Sequence, residues 1–146
     1  MNIQLGDIGH IIQLAIAPVF LLTGVCTSLL VLTNRLGRII DRTRVLEDRL
    51  DIARNDGYMN ELDILFRRGH LINYSIALST LCGLLICLVI ALLFLGDTTT
   101  LALDQYIAGL FVLAMLSLIG SFVYLLREIF IASKSMHIRR HIRVQS

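Results

Sequence analysis

Three long stretches of this chain carry no formal charge. Residues 8–34, 71–96 and 105–126 contain no Lys, Arg, Asp or Glu. A helix needs about 20 apolar residues to cross about 30 Å of hydrocarbon, and each stretch is long enough. Only 16% of the residues are charged, whereas a soluble domain carries about a quarter. Three such stretches cannot all be hidden inside a protein of 146 residues. Their side chains must face lipid or other subunits. The expected fold is an all-α membrane protein forming one domain, with transmembrane helices over 11–34, 71–96 and 105–126.

The basic residues give an orientation. All 13 Lys and Arg fall within 35–68 or 127–143. By the positive-inside rule, 35–70 and the basic tail 127–146 are cytoplasmic. The N-terminal segment 1–10 and the loop 97–104, with Asp7, Asp97 and Asp104, are then periplasmic. Ala15-Ile16-Ala17 mimics a signal-peptide cleavage site, but no Lys or Arg precedes it, so the first span is expected to be retained. Pro18 lies ten residues into the first run and removes the hydrogen bond to the Leu14 carbonyl. A kinked span is the simple expectation. The alternative is that 8–17 forms a separate interfacial or re-entrant segment.

The charged segment after the first run is patterned. Leu36, Ile39, Thr43, Leu46, Leu50 and Ala53 follow alternating steps of three and four, which is a heptad seam. Arg44 and Asp48 are spaced for an i,i+4 ion pair. Asn55-Asp56-Gly57 reads as a break with Gly57 at C′, and Asn60 with Asp63 reads as a loose capping box. Tyr58, Leu62, Leu65, Gly69 and Ile72 repeat the seam on the way back. The first helix is therefore expected to leave the membrane near Asn34 without stopping. It should then turn at 55–59 and return as an antiparallel cytoplasmic hairpin with Leu36, Ile39, Leu46, Leu50, Leu62 and Leu65 between its arms. Val45, Ile52, Ile64 and Phe66 are apolar residues off that seam.

Small and polar residues inside the spans mark helix contacts or a water-lined path. The second run has Ser75, Ser79 and Gly83, and the third has Ser117, Gly120, Ser121 and Tyr124. The first run is the most polar, with Gln13, Ala17, Thr23, Gly24, Thr27, Ser28 and Asn34, and it continues into Arg35 and Arg38. Cys26, Cys82 and Cys87 have no metal-site spacing and read as packing residues. His137 and His141 are four apart, but Arg139, Arg140 and Arg143 crowd them with like charge, so no metal is expected. The tail reads as an interfacial anchor or as a continuation of the third helix. Nothing beyond charge suggests nucleic acid. No nucleophile–base pair or phosphate-binding loop suggests an enzyme or a cofactor.

Ile11-Ile-Gln-Leu-Ala-Ile-Ala-Pro-Val-Phe-Leu-Leu-Thr-Gly24, Leu32-Thr-Asn-Arg-Leu-Gly-Arg-Ile-Ile-Asp-Arg42 and Arg67-Arg-Gly-His-Leu-Ile-Asn-Tyr-Ser-Ile-Ala-Leu78 resemble a bacterial membrane-protein family of unknown function, number 2721 in the domain-of-unknown-function series. So do the runs around Cys82 and Arg127-Glu128. The resemblance covers about 8–132 and implies a three-span protein of the bacterial inner membrane. It implies no activity.

Two functions fit these residues. The first is a homo-oligomeric ion channel or pore lined by the first helix, with Gln13, Thr23, Thr27 and Asn34 facing the path. Asp7 would form an outer acidic ring, and Arg35, Arg38 and Asp41 the inner mouth. Its partners would be membrane lipid, further copies of itself and inorganic ions. The second is a non-conducting scaffold or signalling component whose hairpin docks a cytoplasmic protein.

Overall fold

In a computed structural model, residues 5–52, 56–98 and 104–144 are described, all of them helical. Side chains are described for 9–10, 12–50, 57–96 and 104–133. Helix α1 spans Leu5–Ile52, α2 spans Asp56–Thr98 and α3 spans Asp104–Val144. Each contains a stretch long and apolar enough to cross a membrane. The protein is thus an all-helical membrane protein with three candidate spans.

Helix α1 does not stop at Asn34; it is one helix of 48 residues. Its last turn carries Arg49, a cation at the negative end of the helix dipole. Residues 8–17 belong to this same helix, with Pro18 buried inside it, so they do not form a separate segment. Helix α2 begins at Asp56, four residues earlier than the Asn60 cap implied. Gly57 and Asn60 therefore lie in its first turns, and residues 53–55 of the expected turn fall outside the described residues. An acidic residue at a helix N-terminus is favoured by the dipole, which suits a start at Asp56 and another at Asp104. Helix α3 runs on through the basic segment to Val144, so 127–144 continues the third helix.

The chain packs as two compact units, and all three helices contribute to both. One combines 1–30 with 78–119, and the other combines 31–77 with 120–146. In the first unit, Val25, Cys82, Ile86 and Ala114 form a buried cluster bordered by Leu21, Leu22, Leu29 and Leu118. Gly83 lies against this cluster with room for a methyl group but little more. A Cβ at that position would lie 3.7 Å from Val25 Cγ1 and 3.8 Å from Leu22 Cδ1. Gly83→Ala is therefore expected to be tolerated. Gly83→Leu overpacks the contact and should cost about 1–3 kcal/mol, which thermal unfolding of the two variants in detergent would measure. Ser117 Oγ donates to the Leu78 carbonyl at 2.7 Å and ties α3 to α2 in this unit.

In the second unit, Leu32, Ile39, Leu46, Leu65 and Ile72 are buried together, with Leu36, Tyr58 and Leu62 packed against them. Leu50 is half-buried. Arg42 donates from Nε and Nη2 to Glu61 Oε1 at 3.1 and 3.0 Å, while Ile39 lies against Gly69. Positions rising along α1 fall along α2, so the two segments are antiparallel. Among the described residues, Arg44 and Asp48 form no ion pair. Arg42 instead reaches across to the other helix.

Candidate functional site

The second unit contains a carboxylate that local sequence did not single out. Glu128, in α3, is 1% exposed. Arg68 of α2 donates to its Oε1 from Nε at 3.0 Å and from Nη2 at 2.8 Å. Arg35 of α1 donates from Nη1 to its Oε2 at 3.0 Å. One buried anion therefore holds guanidinium groups from both other helices. The arginine side chains keep 28% and 23% of their surface in solvent, so they retain part of their hydration while the carboxylate has lost nearly all of its own. Charge-assisted bonds replace that lost hydration.

The geometry fixes register. Seven residues before Glu128 on α3 lies Ser121, and seven after Arg68 on α2 lies Ser75. Their hydroxyls are 2.9 Å apart, and each lies 2.8 Å from the other's backbone carbonyl. Two matched contacts one heptad apart admit one alignment of α2 with α3. A slip of α2 along α3 by one turn, about 5.4 Å, would part Arg68 from Glu128 and Ser75 from Ser121. Tyr74 and Tyr124 stack beside the serine pair with ring centres 5.7 Å apart.

The same contacts put the ends of all three charge-free runs at one level. Arg35 is the first charged residue after the run on α1, Arg68 is the last before the run on α2, and Arg127-Glu128 are the first after the run on α3. Ion pairs linking these positions place the apolar-to-charged transition of each helix at a common height.

A family profile described as "Protein of unknown function (DUF2721)" matches residues 15–138. The chain belongs to the DUF2721 family. No curated protein and no solved structure matches it. The matched region of this DUF2721 chain includes Arg35, Arg68 and Glu128 as well as Ser75 and Ser121.

The residues singled out for a path fall differently. Gln13, Thr23, Thr27 and Asn34 are all exposed on α1. Thr23 and Thr27 donate to the carbonyls of Val19 and Thr23 on their own helix, which leaves hydroxyl lone pairs outward. Ser75, Ser79, Ser117 and Ser121 are buried. Arg38 and Asp41 are exposed, whereas Arg35 is committed to Glu128 within its own chain. The side chain of Asp7 lies outside the described residues. Among the described residues, no group of His, Cys, Asp and Glu is arranged to hold a metal.

One further feature lies on the hairpin. A groove of about 500 Å³ runs between α1 and α2, lined by Leu36, Ile40, Thr43, Phe66 and His70 among others. Phe66 is 50% exposed there. Val45 and Ile64 also stay exposed.

Glu128 did leave one signal in the sequence. It is the sole acidic residue after Asp104, standing alone at the edge of an apolar run in an otherwise basic segment. A lone carboxylate in that position is a candidate partner for arginines at the edges of the other runs.

Proposed function

We propose that this protein is a subunit of a homo-oligomeric ion channel in a bacterial inner membrane, with its N-terminus outside and α1 of each copy lining the path. One asymmetry supports this reading. Ser75 and Ser79 of α2 and Ser117 and Ser121 of α3 are buried, while Gln13, Thr23, Thr27 and Asn34 of α1 are exposed. In a bilayer such groups favour other polar surroundings, and further copies of α1 around water would supply them. Asp7 would ring the outer mouth and favour cations. Arg38 and Asp41 would ring the inner mouth, since Arg35 serves Glu128. The role is non-catalytic.

The test is ion flux through liposomes holding the full-length protein, wild type against Thr27→Leu and Asn34→Leu. A hydrogen-bonding group worth about 1 kcal/mol corresponds to roughly fivefold slower passage, so each variant should slow flux by about that factor. Unchanged flux in both would remove α1 from the path.

The second reading is a scaffold whose hairpin docks a cytoplasmic protein. The groove between α1 and α2, with half-exposed Phe66, favours it. Absence of flux under every pH, calcium and voltage condition would select it over the channel.

A further inference from the structure

The clasp around Glu128 organises more positive charge than it neutralises. Arg127 and Arg67 adjoin Glu128 and Arg68 in sequence, and Arg38 is three residues beyond Arg35. At 1.5 Å rise per residue these positions fall within about one helical turn of the clasp. Within five residues of Arg35, Arg68 and Glu128, the segments 30–40, 63–73 and 123–133 together hold five arginines and two carboxylates, Asp63 and Glu128, an excess of three positive charges in a single narrow belt. Arg38, Arg67 and Arg127 lie on three different helices and are exposed. Their guanidinium groups meet no carboxylate among the described residues. Arg35 uses one nitrogen on Glu128, and Arg68 uses Nε and Nη2, so donors remain on both.

On one side of this belt the helices are charged. On the other they are apolar and outward-facing, with Val31, Tyr74, Phe122 and Leu126 exposed. Tyr74 stacked on Tyr124 adds the aromatic pair expected at a membrane–water boundary. A ligand that suits both sides has a phosphate for the guanidinium forks and long hydrocarbon chains for the apolar faces. Arginine binds phosphate through paired N–H bonds, and an anionic surface attracts each cation close to it.

We propose that the arginine belt at the level of Glu128 is a binding site for the headgroups of anionic phospholipids. Glu128 sets the belt by fixing the heights of the three helices, and Arg38, Arg67 and Arg127 make the contacts that select an anionic over a zwitterionic lipid. The proposal requires only that the helices span a membrane; it holds whether or not the protein conducts ions.

The test uses the full chain in phosphatidylcholine bilayers with and without phosphatidylglycerol. Lipid retention by native mass spectrometry and thermal unfolding are the readouts. One cation near an anionic surface corresponds to about a fivefold preference. The triple variant Arg38→Gln, Arg67→Gln, Arg127→Gln should therefore lose on the order of a hundredfold in preference for phosphatidylglycerol. The charge-matched variant Arg44→Gln, Arg49→Gln, Arg54→Gln should keep that preference, because Arg44 and Arg49 lie beyond the belt. An equal loss in both variants would reduce the effect to overall charge and overturn the proposal. So would a wild-type protein that retains the two lipids equally. Inorganic phosphate added in detergent separates the sources: if it binds as tightly as phosphatidylglycerol and displaces it, the belt reads a free anion and the lipid assignment falls.

Discussion

Glu128→Ala is expected to destabilise the protein by about 3–5 kcal/mol, the range seen when one member of a buried ion pair is removed. The variant leaves two guanidinium groups facing each other at one height with no anion between them. Glu128→Gln keeps an acceptor oxygen but loses the charge, so it should cost less than Glu128→Ala. The arginines should rank by the bonds they make. Arg68→Met removes two bonds and Arg35→Met removes one, so the first should be the more damaging. The triple replacement Arg35→Met, Arg68→Met, Glu128→Leu should recover most of the loss. A buried ion cluster is often no more stabilising than apolar residues of similar volume. Equilibrium unfolding in detergent would measure the series. A Glu128→Ala protein within about 1 kcal/mol of wild type, a loss expected for an ordinary hydrogen bond, would show that the carboxylate does not clasp the helices.

Leu46→Ala is expected to cost about 2–5 kcal/mol, because a fully buried leucine loses both its transfer free energy and the packing around the cavity left behind. Leu46 is 0% exposed and lies in the cluster with Ile39 and Leu65. Its neighbour Val45 is 43% exposed, so Val45→Ala should be nearly neutral in the separated chain. Comparing the two in detergent that keeps the protein monomeric tests the seam directly. Equal, small effects would mean that α1 and α2 are not packed along Leu46. If Val45→Ala becomes costly only in the membrane-reconstituted protein, its exposed face is covered there by another copy or another protein. That result would bear on the choice between a channel and a scaffold.

The hairpin seam was readable because heptad spacing is a local property. Ile39, Leu46 and Leu65 lie where steps of three and four put one helix face, and that face is the buried one. The serine stripes were readable in the same way, since residues four apart share a face. Their partners were not, because spacing along α2 says nothing about which turn of α3 it meets. The start of α2 was misplaced by four residues for a related reason: Gly57 and Asn60 are signals of a helix end and a helix cap, yet both are compatible with an early helical turn.

Sequence by itself determined the number of helices, their membrane character, and the faces that the hairpin seam and the serines of α2 and α3 bury. Charge segregation and side-chain periodicity act within one helix, and water or lipid imposes them on each segment independently. Only tertiary structure decided the heights at which the helices meet, which polar residues are enclosed, and that Glu128 is buried. Its partners are 60 and 93 residues away along the chain. The free energy of burying a carboxylate depends on whether counter-charges arrive at the same level, and no local pattern records that.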